Sequence, residues 1–402
     1  MPKLYFPNFY KTIPNHLIKQ INHIYTYLHS NYNADCKIVG GAIRDRLLGR
    51  EINDIDIECY NISTQNFHKA MNELNADGFG KSFFVYKLGD IDIALPRKET
   101  KIANGHRGFS VEPVDNEKDA CKRRDFTINA MLYDIKSSTI LDYFSGLEDI
   151  SNKILRVIDQ NTFQEDSLRV LRGMQFASRL HFKIEPNSIE LSKSMDLSDL
   201  AKERIFIEFE KMFLSTHLHY GLYYLEELQI SKKLWNTPLT TKNRFKAMRD
   251  MKRYQKYFLP HLYPYYFLAI YYQYTTQSMD NILSAINTPN HYKRVLKNIS
   301  KIPHPLANSF VASQALKDGI KNSPLNYHHK VIQTAKYLNI WDKPFDIGIT
   351  PQQLISKGFK GAKIGQELSK IQQQRLKELD AHTPSQNINW LLTYSLVLMF
   401  GI

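Results

Sequence analysis

The sequence predicts an α+β protein in which a mixed sheet occupies the first 150 residues and helices follow it. Segments in which apolar and polar residues alternate with a period of two, typical of strands, are concentrated before residue 150. Beyond that point the apolar residues recur at helical spacing, interrupted by proline and glycine. The chain has 402 residues, of which 43% are hydrophobic and 23% charged, a composition that leaves room for several modules with buried cores. That composition excludes a disordered chain, a collagen and a disulfide-rich miniprotein.

The first predicted elements alternate between helix and strand. Residues 13–30 have the apolar spacing of an amphipathic helix. The segment CKIVGG (36–41) is a short apolar run that ends in two glycines, which predicts a strand followed by a turn. A short helix, AIRDRLLG (42–49), follows and stops at Gly49. The alternation in NDIDIECY (53–60) then predicts another strand.

Three further segments complete the predicted first module. A helix is expected over NFHKAMNELNADG (66–78), closed by Gly78. The segments SFFVYKLG (82–89) and DIDIALP (90–96) have the pattern of a hairpin. The alternating segment that contains Asp54 is therefore followed closely by a second one that contains Asp92.

The remainder of the chain is predicted to be helical. FQEDSLRVLRGMQFASRL (163–180) and ERIFIEFEKMFL (203–214) have helical periodicity. Eleven tyrosines lie between residues 219 and 274, and we expect them in the core and rim of a helical module rather than on a platform for stacking bases. The predicted module boundaries give the segments 1–150, 151–215, 216–345 and 346–402.

The charge balance favours a polyanionic partner. Lysine and arginine total 53 against 40 aspartates and glutamates, which gives a net charge of +13 and an isoelectric point near 9.3. A basic surface of this kind attracts nucleic acid, although a generally lysine-rich proteome gives the same balance. The three cysteines, Cys36, Cys59 and Cys121, favour a reducing cytoplasm over a disulfide framework. No apolar run reaches 18 residues and the first residues lack a secretory pattern, so we expect neither a membrane span nor secretion.

Two aspartates in one predicted strand have the spacing of a metal site. Asp54 and Asp56 are two residues apart and therefore share a face of the strand. Carboxylates aimed at one point repel each other unless a cation lies between them, and Mg²⁺ prefers oxygen ligands together with substrate phosphates. Pairing of the two alternating segments would bring Asp92 alongside, and three such carboxylates suit nucleotidyl transfer by two metal ions. Aspartates with this spacing also occur by chance on solvated strands.

A glycine-rich turn precedes these aspartates. Gly40 and Gly41 lie where the predicted strand becomes a helix, and glycine allows the backbone to approach a phosphate closely. Arg44 lies one helical turn later, where its guanidinium can reach the same triphosphate. An ordinary tight turn with a solvated arginine is the alternative. Two glycines, a short helix and then a strand with two aspartates, in that order, indicate a nucleotide site more specifically than the glycine turn or the aspartate pair alone.

That order resembles a known family. The segment IVGGAIRDRLLGREINDIDIECY (38–60) resembles the first motif of the class II tRNA nucleotidyltransferases, which are the CCA-adding enzymes, and of the related bacterial poly(A) polymerases. The resemblance continues, in the family's order and with its approximate separations, through KRRDFTINAMLYD (122–134), LDYFSGLEDI (141–150), QEDSLRVLRGMQFASRLHF (164–182) and AKERIFIEFEKMF (201–213). ISKGFKGAKIGQELSKI (355–371) is similar to the family's glycine-rich, helix-forming element near the C-terminus.

The resemblance implies a polymerase-β-like nucleotidyltransferase head with a mixed sheet, followed by an all-helical neck, body and tail. It implies a magnesium-dependent enzyme of the cytoplasm that adds C, C and A to tRNA 3′ ends from CTP and ATP. No sequence feature predicts a stable protein partner. By this resemblance Asp54 and Asp56 match the metal-binding aspartates, Gly41 and Arg44 the triphosphate turn, Arg124, Asp125 and Asn129 the sugar and phosphate motif, and Asp166, Arg169 and Arg172 the nucleotide-selecting helix.

The chemistry of Asp166 and Arg169 suits a choice of C and A. The two residues are three apart on a predicted helix, so we expect their side chains to be neighbours. A carboxylate only accepts hydrogen bonds and a guanidinium only donates them. Cytosine and adenine both present an exocyclic amine beside an accepting ring nitrogen, whereas guanine and uracil present the reverse. A fixed pair could therefore replace a template strand; the alternative is a surface ion pair worth less than about 1 kcal/mol.

Related activities remain open at the level of sequence. The family's arginine three residues after the position of Arg172 is replaced here by Gln175, which removes a charge. A poly(A) polymerase, a CC-only or A-only enzyme and an inactive tRNA-binding module share most motifs. Segment 98–122 has the length expected for complete CCA addition. No histidine is followed by aspartate and no GxxxxGK[ST] motif occurs, which excludes an HD-type phosphohydrolase and a P-loop ATPase.

Overall fold

The computed structural model describes residues 3–52, 54–78, 85–101, 109–113, 116–296, 299, 301, 306–323, 326 and 329–381. Its strands are β1 (Lys3–Tyr5), β2 (Asp35–Val39), β3 (Ile55–Tyr60), β4 (Val85–Leu88), β5 (Ile91–Ala94), β6 (Arg97–Lys101), β7 (Phe109–Pro113), β8 (Met131–Asp134), β9 (Thr139–Asp142), β10 (Ile154–Leu155) and β11 (Lys183–Ile184). Its helices are α1 (Asn15–Tyr32), α2 (Gly41–Leu47), α3 (Thr64–Glu73), α4 (Glu117–Lys122), α5 (Gly146–Asn152), α6 (Gln160–Gln164), α7 (Leu168–Leu180), α8 (Pro186–Ser194), α9 (Lys202–Phe213), α10 (Leu218–Glu227), α11 (Ile230–Trp235), α12 (Thr241–Tyr254), α13 (Tyr263–Tyr274), α14 (Met279–Ala285), α15 (Asn290–Leu296), α16 (Asn308–Ser313), α17 (His329–Tyr337), α18 (Pro351–Ser356) and α19 (Ala362–Ala381).

A mixed sheet organises the first part of the chain. In the described residues its strand order is β1-β9-β8-β2-β3-β5-β4, with β3 and β5 parallel and the other neighbours antiparallel. The predicted hairpin is present as β4 and β5. The predicted fold class, a mixed-sheet head followed by helices, is confirmed, and after residue 150 the described strands are the short pair β10 and β11 and no others.

The alternation of β3 sorts its side chains between the core and the opposite face of the sheet. Ile55, Ile57 and Cys59 are buried in one apolar cluster with the inward face of α1. Because strand residues alternate, the acidic side chains Asp56 and Glu58 lie on the other face. Burial of the isoleucines therefore fixes the register that presents the carboxylates.

The helices after residue 150 belong to two compact units. Residues 1–255 and 284–288 form one unit, in which α7 packs against α9 and α10, and α10 against α12. Residues 256–283 and 289–402 form the other, whose described residues include a separate apolar core around Val311, Val331 and Ile340. Tyr224 in the first unit and Tyr266 and Tyr271 in the second are buried, as expected for core aromatics.

Two predicted helices have different ends from those expected. The segment 163–180 contains the end of α6 and all of α7 rather than one helix, since residues 165–167 interrupt the helical pattern. The helix predicted to close at Gly78 ends earlier: Asn75 is left-handed at φ 55°, and the amide of Ala76 donates to the carbonyl of Met71. A left-handed asparagine or glycine, followed by a hydrogen bond back to the last turn, is a common way for a helix to end.

The described part of the chain has no helix that is long and apolar enough to cross a membrane. The terminal segment 382–402 lies outside it, as do residues 102–108 and 114–115 of the segment whose length suggested complete CCA addition. The described part of segment 98–122 contains most of β6 and all of β7, and these two strands pair antiparallel.

Candidate active site

The turn between β2 and α2 depends on Gly40. Its φ of +73° and ψ of −130° suit glycine, and a Cβ built there would lie 2.9 Å from Nη1 of Arg124 and 3.7 Å from Oδ2 of Asp56. The backbone of the turn is thus in close contact with a guanidinium and a carboxylate. Gly41 begins α2, and a Cβ there would lie 3.4 Å from Nη2 of Arg44.

The predicted pairing of the acidic strands is present. Asp56 on β3 is the register partner of Asp92 on the parallel strand β5. Asp54 immediately precedes β3, two residues from Asp56. Asp54 and Asp56 are exposed and form no hydrogen bond or ion pair with the described residues, whereas Oδ1 of Asp92 lies 3.7 Å from Nζ of Lys87. Two carboxylates are therefore available to a ligand at the strand edge.

The electrostatics of this edge favour a cation. Although its side chain reaches solvent, the protein around Asp56 desolvates the carboxylate and raises its pKa. The charge of Arg124 opposes this effect, and the charges of Asp92, Glu58 and Asp54 add to it. A cation would relieve the repulsion among these carboxylates.

The residues present fit a divalent ion that keeps ligands of its own. Among the described residues no group of three or more histidines, cysteines or acids is gathered as a ready-made metal site. Mg²⁺ is commonly held by one or two carboxylates, with water and substrate phosphates as the remaining ligands. Asp54 and Asp56 supply that number of carboxylates, and the three-carboxylate site that includes Asp92 stays a prediction.

Glu58 is a component of the site that the sequence analysis missed. Its carboxylate is 2% exposed and accepts hydrogen bonds from Nη2 of Arg123 at 2.7 Å, Nη2 of Arg124 at 2.9 Å and the hydroxyl of Tyr60 at 2.8 Å. Burial alone would raise its pKa, but Arg124 and Arg123 outweigh burial and the pKa is lowered. The signal was available, because Glu58 continues the period of two that relates Asp54 to Asp56.

A buried polar network connects the sugar and phosphate motif to α7. Oδ1 of Asp125 accepts from Nδ2 of Asn129 at 2.9 Å, and its Oδ2 accepts from Nε of Arg172 at 2.6 Å. Burial alone would raise the pKa of Asp125, but Arg172 and Asn129 hold it at about 2. Asp125 follows α4 and precedes a single 3₁₀ turn, Thr127–Asn129, and its Oδ1 also accepts from the amide of Phe126.

The same network includes Arg44. Its Nη1 donates to Oδ1 of Asn129 at 2.6 Å, while Nε and Nη2 donate to the carboxylate of Asp45 at 2.9 and 2.7 Å. Arg44 is 6% exposed, so it lies beneath the Gly41 turn rather than on a solvated face. The guanidiniums of Arg44 and Arg172 lie 5.0 and 5.1 Å from the ring centroid of Phe176, within cation–π range.

Asp166 and Arg169 form no ion pair with each other, the arrangement that was the alternative to base selection. Asp166 lies between α6 and α7, where Oδ1 accepts from the amide of Leu168 and Oδ2 lies 3.5 Å from Nη2 of Arg204. Arg169 donates Nη1 to the carbonyl of Thr162 at 2.7 Å and Nη2 to a second backbone carbonyl, that of residue 123, at 2.6 Å. The two side chains are therefore fixed separately, one by a helix start and one by main-chain oxygens.

Gln175, the departure from the family pattern, is buried in α7. It is 1% exposed, and its Oε1 accepts from Nη1 of Arg179 at 3.3 Å. Burial lowers the pKa of Arg179, and the charge of Arg44 lowers it further. An arginine one helical turn later therefore lies near Arg44, close to the position where the family's charge is missing.

Two families match parts of the chain. Residues 36–156 match the family described as "Poly A polymerase head domain", and residues 181–242 match "Probable RNA and SrmB- binding site of polymerase A". The chain is 32% identical over 214 residues to the CCA-adding enzyme of Streptococcus thermophilus, covering 50% of this chain and 53% of that protein. It is 32% identical over 226 residues to that of Pediococcus pentosaceus, covering 55% and 56%. The chain thus spans about half the length of the curated relatives it matches.

Solved structures share the fold along nearly the whole chain. The Thermotoga maritima CCA-adding enzyme complexed with tRNA is 21% identical, with a TM-score of 0.61 and coverage of 97% of both chains. A CCA-adding enzyme with ATP gives a TM-score of 0.62 at 21% identity, covering 96% of this chain and 95% of that one. These likenesses concern the fold. Through its two matched domains the chain is similar to the class II tRNA nucleotidyltransferases and bacterial poly(A) polymerases.

Proposed function

We propose that this protein adds C, C and A to the 3′ ends of tRNA from CTP and ATP, without a template strand and with Mg²⁺ as its cation. The observation that supports this most is the register of β3 and β5, which aligns Asp56 with Asp92 next to the Gly40 turn. Family members generally use a divalent metal ion, and exposed carboxylates free of protein partners suit one. The relatives' complexes with ATP, CTP and tRNA name the substrates we propose here.

The reaction joins the 3′ oxygen of the tRNA to the α-phosphorus of the incoming nucleotide, and the bond from that phosphorus to pyrophosphate breaks. Asp54 and Asp56 would hold a divalent ion, which would supply charge neutralisation along the triphosphate and a lower pKa for the attacking hydroxyl. Asp92, aligned with Asp56, is the residue proposed to help remove the hydroxyl proton. Nη1 of Arg124 lies at the Gly40 turn, where its positive charge would face a bound triphosphate.

The remaining candidates position the nucleotide. Arg44 places positive charge beneath the backbone of Gly41, and Asn129 joins it to Asp125. Asp125 and Asn129 are the proposed ribose and phosphate contacts. Arg172 is held by Asp125 through Nε, and its terminal amino groups, which donate no hydrogen bond to the described residues, are available to the nucleotide.

Selection of C and A is assigned to Asp166 and Arg169. Arg169 donates to two main-chain carbonyls, which fixes the plane of its guanidinium. Asp166 offers carboxylate oxygens to an exocyclic amine, the group that cytosine and adenine share. Guanine and uracil would oppose a carbonyl to that carboxylate. Asp166 and Arg169 would thus discriminate among the four bases without a direct bond between their side chains.

The proposed organisation is a head (1–150), a neck (151–215), a body (216–345) and a tail (346–402), with the helical modules binding the tRNA backbone. The net charge of +13 supports an RNA partner. We place the protein in the cytoplasm, since Cys36, Cys59 and Cys121 are all free and buried, as expected of a reducing compartment.

The test is incubation of the protein with Mg²⁺ and a tRNA that ends at the discriminator base, first with each nucleoside triphosphate alone and then with CTP and ATP together, followed by sequencing of the products. Growth by CCA and then arrest is expected. A long A tail, CC alone or A alone would select another member of the family. Asp54→Asn combined with Asp56→Asn should abolish addition, and unchanged activity in that variant would contradict the proposal.

A further inference from the structure

One face of β3 bears acidic side chains in two different settings. Asp56 is exposed and has no ion-pair partner among the described residues, whereas Glu58, two residues later, is 2% exposed. A buried carboxylate is costly unless its oxygens are hydrogen-bonded and its charge is balanced. Glu58 meets both conditions through Arg123, Arg124 and Tyr60. These partners therefore stabilise the charged form of Glu58 in the interior.

Arg124 lies between these two settings. Its Nη2 donates to Oε1 of Glu58 at 2.9 Å, and its Nη1 is the atom nearest the position of a Cβ on Gly40, at 2.9 Å. Oδ2 of Asp56 lies 3.7 Å from that same position. Arg124 nevertheless forms an ion pair with Glu58 and none with Asp56. The guanidinium and the open carboxylate thus border the same position on the turn, yet the guanidinium is paired with Glu58.

We propose that Glu58 is a positioning residue that keeps Arg124 from pairing with Asp56, so that Asp56 remains available to a divalent cation and Nη1 of Arg124 remains available to a triphosphate. The inference rests on the proposed function, whose cation and nucleotide it concerns. Without the charge of Glu58, Asp56 is the remaining carboxylate on this face of β3 within reach of Arg124. An arginine paired there would compete with the cation for the same oxygens.

The charge count supports this arrangement. One carboxylate, that of Glu58, accepts from two guanidiniums, those of Arg123 and Arg124. The trio therefore keeps a net positive charge, which suits the binding of a phosphate beside it.

The inference is tested with Mn²⁺ as a spectroscopic stand-in for the proposed Mg²⁺, by electron paramagnetic resonance of the free ion and without tRNA. Glu58→Gln keeps the shape and removes the charge, and should weaken Mn²⁺ binding by at least about fivefold. Removing Arg124 in addition, as Glu58→Gln with Arg124→Gln, should restore binding to within about twofold of the parent, because the competitor is gone. A second loss in place of restoration would overturn the proposal.

The matched control is Asp149→Asn. Asp149 is also 2% exposed and accepts from Arg156 and the hydroxyl of Thr127. Its substitution therefore removes the charge of a buried, paired carboxylate without affecting the partners of Arg124. It should lower thermal stability and leave Mn²⁺ affinity unchanged. If Glu58→Gln does not fold, Glu58→Gln with Arg123→Gln balances the charges again and should show the same weak Mn²⁺ binding. Parental affinity in the folded variant, or a parent that binds no Mn²⁺, would refute the inference.

The two proposals fail in different ways. A parent that adds no nucleotides to tRNA, together with the restoration pattern in Mn²⁺ binding, would refute CCA addition and leave the positioning by Glu58 standing. A parent that adds CCA, together with independent effects of the Glu58 and Arg124 variants, would refute the positioning alone. In an active parent, Glu58→Gln should raise the Mg²⁺ concentration for half-maximal rate, and saturating Mg²⁺ should recover most of kcat.

Discussion

Asp125 and Arg172 are 47 residues apart in the chain, and Oδ2 of one accepts from Nε of the other at 2.6 Å. The bond joins the turn after α4 to the helix α7, so the residues proposed for sugar contact and for nucleotide selection share one partly buried ion pair. The positions of these two groups are therefore set by each other.

Loss of this pair should destabilise the protein. Asp125→Asn leaves the charge of Arg172 without its partner, and because Arg172 is about a third exposed we expect a loss of about 2–3 kcal/mol in the free energy of unfolding, below the usual cost for a fully buried pair. Urea denaturation measures it. The control is Glu227→Gln, whose carboxylate pairs with Lys193 and Arg244 but is 24% exposed against 5% for Asp125, and it should cost less than about 1 kcal/mol. Equal losses would contradict the importance assigned to burial.

Gly40 and Gly49 allow strain and contact to be separated. Both have positive φ, +73° and +68°, but a Cβ at Gly40 would meet Arg124 whereas nothing lies within 4 Å of one at Gly49. Gly→Ala at either position should cost about 1 kcal/mol of stability through backbone strain. Only Gly40→Ala should also raise KM for CTP and ATP, by at least about tenfold, because its methyl displaces the guanidinium at the turn. An equal effect on KM at both positions would show that strain alone is responsible.

Base selection should depend on Asp166 and Arg169. Asp166→Ala or Arg169→Ala removes one group facing the base edge, so discrimination against UTP and GTP should fall by about 10- to 100-fold in kcat/KM. Metal binding should be unchanged. The control Arg249→Ala removes an exposed arginine on α12 that pairs with Asp250 and should leave selectivity intact. Parental discrimination in both Asp166 and Arg169 variants would exclude selection by these side chains.

A histidine cluster should make the protein less stable in acid. Burial, together with the charges of His217, Lys252 and His181, lowers the pKa of His219 from an ordinary 6.5 to about 4. The unfolded chain therefore binds a proton that the folded chain does not between pH 6.5 and 4, so stability is complete above pH 6.5 and falls as the pH drops through that window. The expected loss is about 1–2 kcal/mol after solvent screening.

The measurement is the pH dependence of unfolding. His219→Gln removes the titrating group and should flatten the profile between pH 6.5 and 4. His23→Gln, which changes an exposed histidine on α1, should keep the parental profile. A parental slope in the His219 variant would show that other groups cause the acid sensitivity.

Local pattern was sufficient to predict the acidic strand and its neighbours. The alternation in residues 55–60 follows from burial of every second side chain, and the glycines before α2 mark a turn whose backbone requires them. The pairing of β3 with β5 could be anticipated, because both strands have the same alternating pattern.

The partners of charged side chains could not be predicted in this way. Arg44 binds Asn129, which is 85 residues away, and Glu58 binds Arg124, which is 66 away, so local spacing contains no trace of either bond. The separate partners of Asp166 and Arg169 were equally out of reach of local spacing, since Arg169 donates to the carbonyls of Thr162, seven residues away, and of residue 123, 46 residues away. Helical spacing indicates only which side chains are neighbours and does not identify their partners.

Phe176 supports two cations with one ring. The guanidiniums of Arg44 and Arg172 both lie about 5 Å from its centroid, and one arginine belongs to the glycine turn while the other belongs to α7. Arg172 and Phe176 lie one turn apart on α7, so rotation of that helix by a single residue, roughly 100°, would move them together and carry the ring away from Arg44. The ring therefore ties the position of α7 to the glycine turn, and an insertion or deletion in α7 that displaces Phe176 would break that tie.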